Sequence, residues 1–270
     1  MSEMFKRYEF NKEEFNKIFS YVKKKKMTFF STPTDRNYVD YLESKSVPCY
    51  KVGSDDLTHH YLISHIAKTR KPIIISTGMS NLHEVKKTIS VIEKFHKKIV
   101  ILYCVSIYPT PEEKINLLKL QKLQTSFGYP VGFSDHSVGN FASIVAMSMG
   151  ACLIEKHFTL DKNFDGPDHK FSSDAKELKD LIYNAKKINK VFGSKNMILN
   201  KDEKIMRKLC RRSIYIKNTK EKGEKITIDD IGFYRPGDGI NSCEIYKILN
   251  KTCKVSIKQN TKFKFSMINK

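Results

Sequence analysis

No run of 18 or more apolar residues occurs in the 270-residue chain, so no segment is long enough to span a membrane as a helix. The amino terminus, MSEMFKRYEFNKEEF, is charged and has no apolar stretch of the kind a secretory signal needs. Cysteine pairs are missing as well. Cys49, Cys104, Cys152, Cys210, Cys243 and Cys253 are widely separated and never form C-x-x-C, which removes the usual zinc and dithiol spacings. The thiols are therefore expected to be reduced, with Cys104 and Cys152 as small core residues in apolar strands, and the protein to be cytoplasmic. Acidic residues are in deficit: 29 against 49 basic ones give a net charge of +20. A nucleic-acid partner would explain that excess. However, the lysines are scattered in pairs through every amphipathic stretch, and no nucleic-acid-binding motif is present. The longest run, Lys23–Lys26, falls at the end of an expected helix, where cations suit the dipole. The charge reads as a solvated lysine-rich surface, with neither nucleic acid nor membrane as partner.

What is present is a rhythm. Short apolar runs occur at MTFFS (27–31), VPCYKV (47–52), PIIIS (72–76), KIVILYC (98–104), PVGFS (130–134) and ACLIE (151–155). Between them lie stretches with helical spacing, among them NYVDYLES, LTHHYLISHIAK, NLHEVKKTISVIEKF and EEKINLLKLQKLQTSF. Six near-continuous strands alternating with helices predict a parallel sheet covered on both faces. An open doubly wound sheet would carry one Gly-rich fingerprint near its first strand, and none is found. Instead nearly every strand ends in small polar or charged residues, which is how a (β/α)8 barrel of the TIM type builds its site. Six strands are two short of that count. After Gly193 the alternation stops, and short strands, turns and Gly/Pro punctuation take over. Ile216–Lys220 is echoed by Ile257–Lys262, hinting at a small pseudo-repeated domain. The expected division is a barrel domain over 1–195, a linker helix over 196–209 and a second domain over 210–270.

The strand ends carry the candidate chemistry. If PVGFS and ACLIE are neighbouring strands, about 4.8 Å apart, His136 and His157 lie just past their ends and can converge on one ion. Two histidines with oxygen ligands suit a divalent cation such as Mn2+ or Mg2+ better than a closed structural zinc. On spacing alone the alternative stays open that each histidine caps a strand or bonds a carboxylate. Lys51 and Ser54 in KVGS, with Thr32, Ser76, Ser106 and Ser134, supply one cation and several hydroxyls around a single mouth, as an anion such as phosphate requires. Each serine or threonine taken singly reads equally well as a helix cap. Glu155, beside His157, can position a substrate or a water. Asp168 sits on a loop that Gly166 and Pro167 would hold over the mouth, whereas Asp161 and Asp165 read as solvated loop residues.

KVGS, ISTGMS, YPTP, GFSDHSVG, IEKHFTLDK, GPDHKFS and RPGDGI occur in the same order in the sialic acid synthases, and the chain resembles that family over essentially its whole length. The resemblance implies a (β/α)8 barrel followed by a small antifreeze-like (β-clip) domain. It implies condensation of phosphoenolpyruvate with an N-acylated hexosamine such as N-acetylmannosamine, with release of phosphate. His136 and His157 resemble the family's Mn2+ ligands. Thr32, Lys51, Ser54 and Ser134 resemble its phosphoenolpyruvate binders, with Ser76 and Ser106 beside them. Tyr108 and Asp168 resemble sugar contacts, and Glu155 the acid beside the reacting carbons. Arg235 resembles an arginine that the antifreeze-like domain lends to a partner's barrel, implying a domain-exchanged homodimer.

Two departures stand out. Ser106 occupies a position where many relatives have asparagine. The family's first two barrel strands have no counterpart in these residues, so the barrel is expected to lack its first two βα units. The chain alone is accordingly expected to be weakly active or inactive. The competing expectation is a non-catalytic remnant serving only in binding or dimerisation. GPDHKFS leans toward an N-acetylneuraminate or legionaminate type over a pseudaminate type.

Overall fold

The computed structural model describes residues 6–269, and the chain divides into two compact units with the boundary after Gly193. In the first unit five strands form one parallel sheet: β1 (Tyr50–Val52), β2 (Ile73–Ser76), β3 (Ile99–Cys104), β4 (Val131–Asp135) and β5 (Ile154–Lys156). Helices α1 (Lys12–Lys24) and α2 (Arg36–Ser44) precede β1. Then α3 (His60–Lys68) follows β1, α4 (Leu82–Glu93) follows β2, and the short α5 (Glu112–Ile115) with α6 (Leu118–Phe127) follows β3. Helix α7 (Phe141–Ser148) follows β4, and α8 (Ala175–Phe192) follows β5. Every strand lies beside its neighbour in sequence, and the order never reverses. A doubly wound sheet contains a reversal; this arrangement is a half-barrel of the TIM type.

The sheet has five strands where the sequence rhythm suggests six. MTFFS makes no ladder: its link to β1 is a single backbone bond, Lys51 N to Ser31 O at 3.2 Å. Phe29 is instead engaged edge-on by Phe15 and Phe19 of α1, each with ring centroids 5.5 Å away. Aromatic packing against a helix fixes that segment, not pairing. ACLIE is also corrected, since β5 begins only at Ile154 and Cys152 lies before it, exposed. Cys104 is buried as expected, and all six thiols are free. The stretch EEKINLLKLQKLQTSF divides into α5 and α6, because Asn116 takes a left-handed conformation at φ 50°.

Strand pleating sorts the side chains. One parity, including Tyr50, Val52, Ile73, Ile75, Ile101, Tyr103, Val131 and Phe133, is buried against Leu62, Ile63, Ile66, Val85, Ile89, Leu120, Leu123 and Ala146 of the helices. The other parity faces the barrel interior. Near the strand starts it is apolar, with Ile74 and Leu102 buried. Toward the ends it turns polar, through Lys51, Ser76, Ser134 and Glu155. Gly132 lies on this inner face because a Cβ there would stand 2.5 Å from Leu153 O and 2.7 Å from Leu102 Cδ2. Helix starts are fixed locally: Asn11 with Glu14, Asn81 with Glu84 and Asp174 with Glu177 each form a reciprocal capping box.

The second unit contains α9 (Lys201–Cys210) and an antiparallel pair, β6 (Ser213–Ile216) with β7 (Ile231–Tyr234). Its own core gathers Ile214, Ile216, Ile226, Ile248, Ile257 and Phe263. The echoed segments bond to each other: Lys220 and Ile257 exchange both backbone bonds at 2.9 and 2.8 Å, and Ile216 N donates to Thr261 O at 2.9 Å.

Candidate active site

The polar ends of the inner parity open into a cleft of about 910 Å3. Lys51 lies in β1, Ser76 ends β2, Cys104 ends β3, Ser134 lies in β4 and Glu155 in β5. Cys104 pairs in register with Ser134, and Ser134 with Glu155. One pleat further along, His136 and His157 emerge side by side with ring centroids 5.3 Å apart and planes at 69°. Tyr108 lies over His136, centroid to centroid 4.2 Å, and Phe171 packs against His157 at 5.2 Å. Tyr108 precedes a cis proline, Pro109.

His136 Nδ1 is 2.8 Å from Val105 O. A carbonyl can only accept, so Nδ1 carries the hydrogen and Nε2 is the nitrogen free to bind a ligand. His157 Nδ1 stands 3.4 Å from Asp168 Oδ2. Burial pushes both imidazoles down. For His157, Asp168 offsets this only in part, and the group stays below its ordinary value. For His136 the Cys104 thiol, the Val105 carbonyl and Glu155 outweigh burial and hold it above. Burial likewise pushes the Cys104 thiol up, but hydrogen bonds from His136, Ser54 and Ser134 bring it below the usual value.

Lys51 is nine-tenths buried and finds its counter-charge in Glu155, Nζ to Oε2 at 3.3 Å. Ser54 Oγ accepts from Gly78 N at 3.0 Å. A Cβ on Gly78 would collide with both Ser54 Oγ and Ser106 Oγ, so glycine allows these hydroxyls to close around the chain. The hydroxyls of Ser76 and Ser106 are buried and have no hydrogen-bond partner. An orphaned buried hydroxyl costs about 1–3 kcal/mol, which a bound acceptor recovers. The cleft therefore presents the Lys51 ammonium, several hydroxyls, two imidazoles and three carboxylates to a common space.

The sequence points to twelve site residues. The cleft assembles Lys51, Ser54, Ser76, Ser106, Tyr108, Ser134, His136, Glu155, His157 and Asp168. Thr32 is exposed and lines a different cavity, with Glu9, Asn11 and Tyr38. Arg235 is exposed in the second unit, just past β7. Asp55, Cys104 and Phe171 were not nominated, although the first two line the cleft and the third braces His157. Cys104 was legible, since it has the same strand-end position and parity as Ser76. Phe171 was not, because only folding brings its loop to the histidines. Asp165, read as a solvated residue, is exposed and pairs with Arg7 at 2.9 Å.

Among the described residues, no three His, Cys, Asp or Glu side chains are arranged around a single metal point. His136 and His157 are the side chains that could hold a metal ion in this cleft, with water and substrate oxygens as the remaining donors of an open site.

A family model described as the NeuB family matches residues 1–197. An uncharacterised protein of Methanocaldococcus jannaschii is 43% identical over 253 residues, 93% of this chain and 75% of its own. The N,N'-diacetyllegionaminic acid synthase of Legionella pneumophila is 35% identical over 264 residues, 96% of this chain and 74% of its own. Among solved structures, the N-acetylneuraminic acid synthetase of Leptospira borgpetersenii superposes with a TM-score of 0.72 at 31% identity, covering 76% of this chain and 72% of that one.

Proposed function

The chain belongs to the NeuB family, and on that premise we propose that it is a nonulosonate synthase joining phosphoenolpyruvate to an open-chain N-acyl hexosamine. One observation carries the reading. His136 and His157 stand 5.3 Å apart in the same cleft as a buried lysine and two partnerless serine hydroxyls. The cleft thus has one end suited to a cation-assisted carbonyl and another suited to a multiply charged anion.

In this reaction C3 of phosphoenolpyruvate bonds to the aldehyde carbon of the sugar, and the aldehyde oxygen takes up a proton. Water adds to C2 and gives up one proton; the C2–O bond to phosphate then breaks as the new C2 hydroxyl becomes a keto oxygen, and its proton leaves with the phosphate. Lys51 Nζ neutralises charge on phosphoenolpyruvate, while Ser54, Ser76, Ser106 and Ser134 donate to its oxygens. Binding the anion weakens the Lys51–Glu155 attraction, which frees Glu155 Oε2 to take the proton of the attacking water. Tyr108 offers a ring face and Asp168 an acceptor to the sugar. His136 and His157 would hold a divalent ion, Mn2+ by preference, that polarises the aldehyde. Thr32 would join the anion contacts only by further approach, and Arg235 would be lent to the barrel of a partner copy in a domain-exchanged homodimer. The second unit, with its echoed segments, suits an antifreeze-like domain.

The test is phosphate release from phosphoenolpyruvate with N-acetylmannosamine or related N-acyl hexosamines, with Mn2+ present or removed by chelation. The half-barrel is open between β1 and β5. The assay is therefore run on the chain alone and with a polypeptide supplying βα units that could close the sheet between β1 and β5. Release that requires both substrates and the metal is expected, strongest in the mixture. No sugar-dependent release under either condition would overturn the proposal.

A further inference from the structure

Asp135 and Lys156 take no part in the chemistry above, yet they form the most completely bonded ion pair near the cleft. Their side chains are 0% and 5% exposed. Asp135 Oδ1 accepts from Ser137 N at 2.8 Å and Ser137 Oγ at 2.6 Å. Its Oδ2 accepts from Ser143 Oγ of α7 at 2.6 Å and from Lys156 Nζ at 3.0 Å. Lys156 donates once more, to Ser137 O at 2.8 Å. Both carboxylate oxygens are used twice. A buried pair so fully satisfied is costly to assemble and is weak evidence for stability as such. Its location suggests what it does.

Asp135–Lys156 is the last register pair of β4 and β5, and no ladder bond holds the strands together beyond it. The next residue on each strand is a histidine. His136 and His157 make no bond to each other, so their separation depends on how far the strand ends splay. The bond from Lys156 Nζ to Ser137 O spans that gap: it ties the residue after His136 to the residue before His157. Ser143 fastens the same carboxylate to α7, which fixes the pair against the helix layer. Val105 O holds the His136 ring from its other side.

We propose that Asp135 and Lys156 are positioning residues that fix the separation and ring orientation of His136 and His157. The functional meaning of this clamp rests on the metal reading given above, but the geometric claim does not. The clamp sets two ligand nitrogens before any ion arrives, so its loss lowers metal affinity without removing a ligand.

The experiment records long-range proton–nitrogen spectra of the imidazoles in metal-free protein, assigned with His136→Gln and His157→Gln, alongside Mn2+ titrations. Wild type is expected to show His136 as a single tautomer with hydrogen on Nδ1. In Asp135→Asn and Lys156→Met, shown to be folded by circular dichroism, both imidazole signals are expected to average or broaden. The Mn2+ dissociation constant is expected to rise about tenfold or more, with recovery in Lys156→Arg. Lower melting temperatures with unchanged imidazole spectra and unchanged Mn2+ affinity would show a purely structural pair and overturn the proposal. If wild type binds no Mn2+ but the imidazole signals still respond, the metal reading fails and the clamp stands. If the charge variants do not fold, Ser143→Ala removes one of four bonds to the carboxylate, and unchanged signals there overturn the proposal equally.

Discussion

With its Nδ1 hydrogen committed to Val105 O, His136 has one nitrogen to offer, whereas His157 shares its Nδ1 environment with Asp168. His136→Ala and His157→Ala are each expected to lower phosphate release by ~10²-fold or more and to abolish its response to Mn2+, measured in the same assay with and without chelator. A different residue sets a pH limit. Burial alone would raise the Asp230 carboxyl, but Thr227 backbone and hydroxyl donors and Lys220 at 3.2 Å hold it below its ordinary value. A carboxyl lowered by folding stabilises fully above its unfolded value, near 4, and loses that contribution as pH falls through the native one. Asp230→Asn should therefore cost about 1–3 kcal/mol at neutral pH and progressively less in acid, read by urea unfolding at several pH values. Sequence showed which residue types stood at the strand ends, so His136, His157, Lys51 and Glu155 could be named in advance. It could not show that the aspartate of SDHS and the lysine of EKH bond to each other, since that pairing exists only once β4 and β5 share a register.

Strands and helices were legible where composition alone decides them. β2 and β3 are buried apolar runs, and the boxes at Asn81 and Asp174 fix where α4 and α8 begin. The misreadings share a cause, which is tertiary context. MTFFS has strand composition, but its Phe29 is held by Phe15 and Phe19. The helical period through residues 112–127 gives no warning of the left-handed Asn116. At Gly132 the element tolerates no side chain, because Leu153 O and Leu102 already occupy the space. Gly132→Ala is expected to destabilise the first unit by about 1–3 kcal/mol through overpacking, seen as a lower urea midpoint with little change in slope.

At the scale of the molecule, two separate cores, one under the half-barrel and one in residues 194–270, predict two calorimetric transitions. Asp230→Asn should move one of them and Gly132→Ala the other; a single transition moved by both variants would refute independent units. The net charge of +20 predicts a Michaelis constant for phosphoenolpyruvate that rises with salt, as screening weakens attraction of the anion. The half-barrel also carries a constraint that point substitution does not reveal. Ser134 and His136 face the cleft while Phe133 and Asp135 face the helices, and β5 repeats the scheme with Glu155 and His157 against Ile154 and Lys156. Gaining or losing one codon within either strand would exchange the two sides wholesale, burying imidazole under a helix and turning the carboxylate or ammonium inward. The strands that frame the cleft should thus accept many single replacements yet reject every indel of odd length.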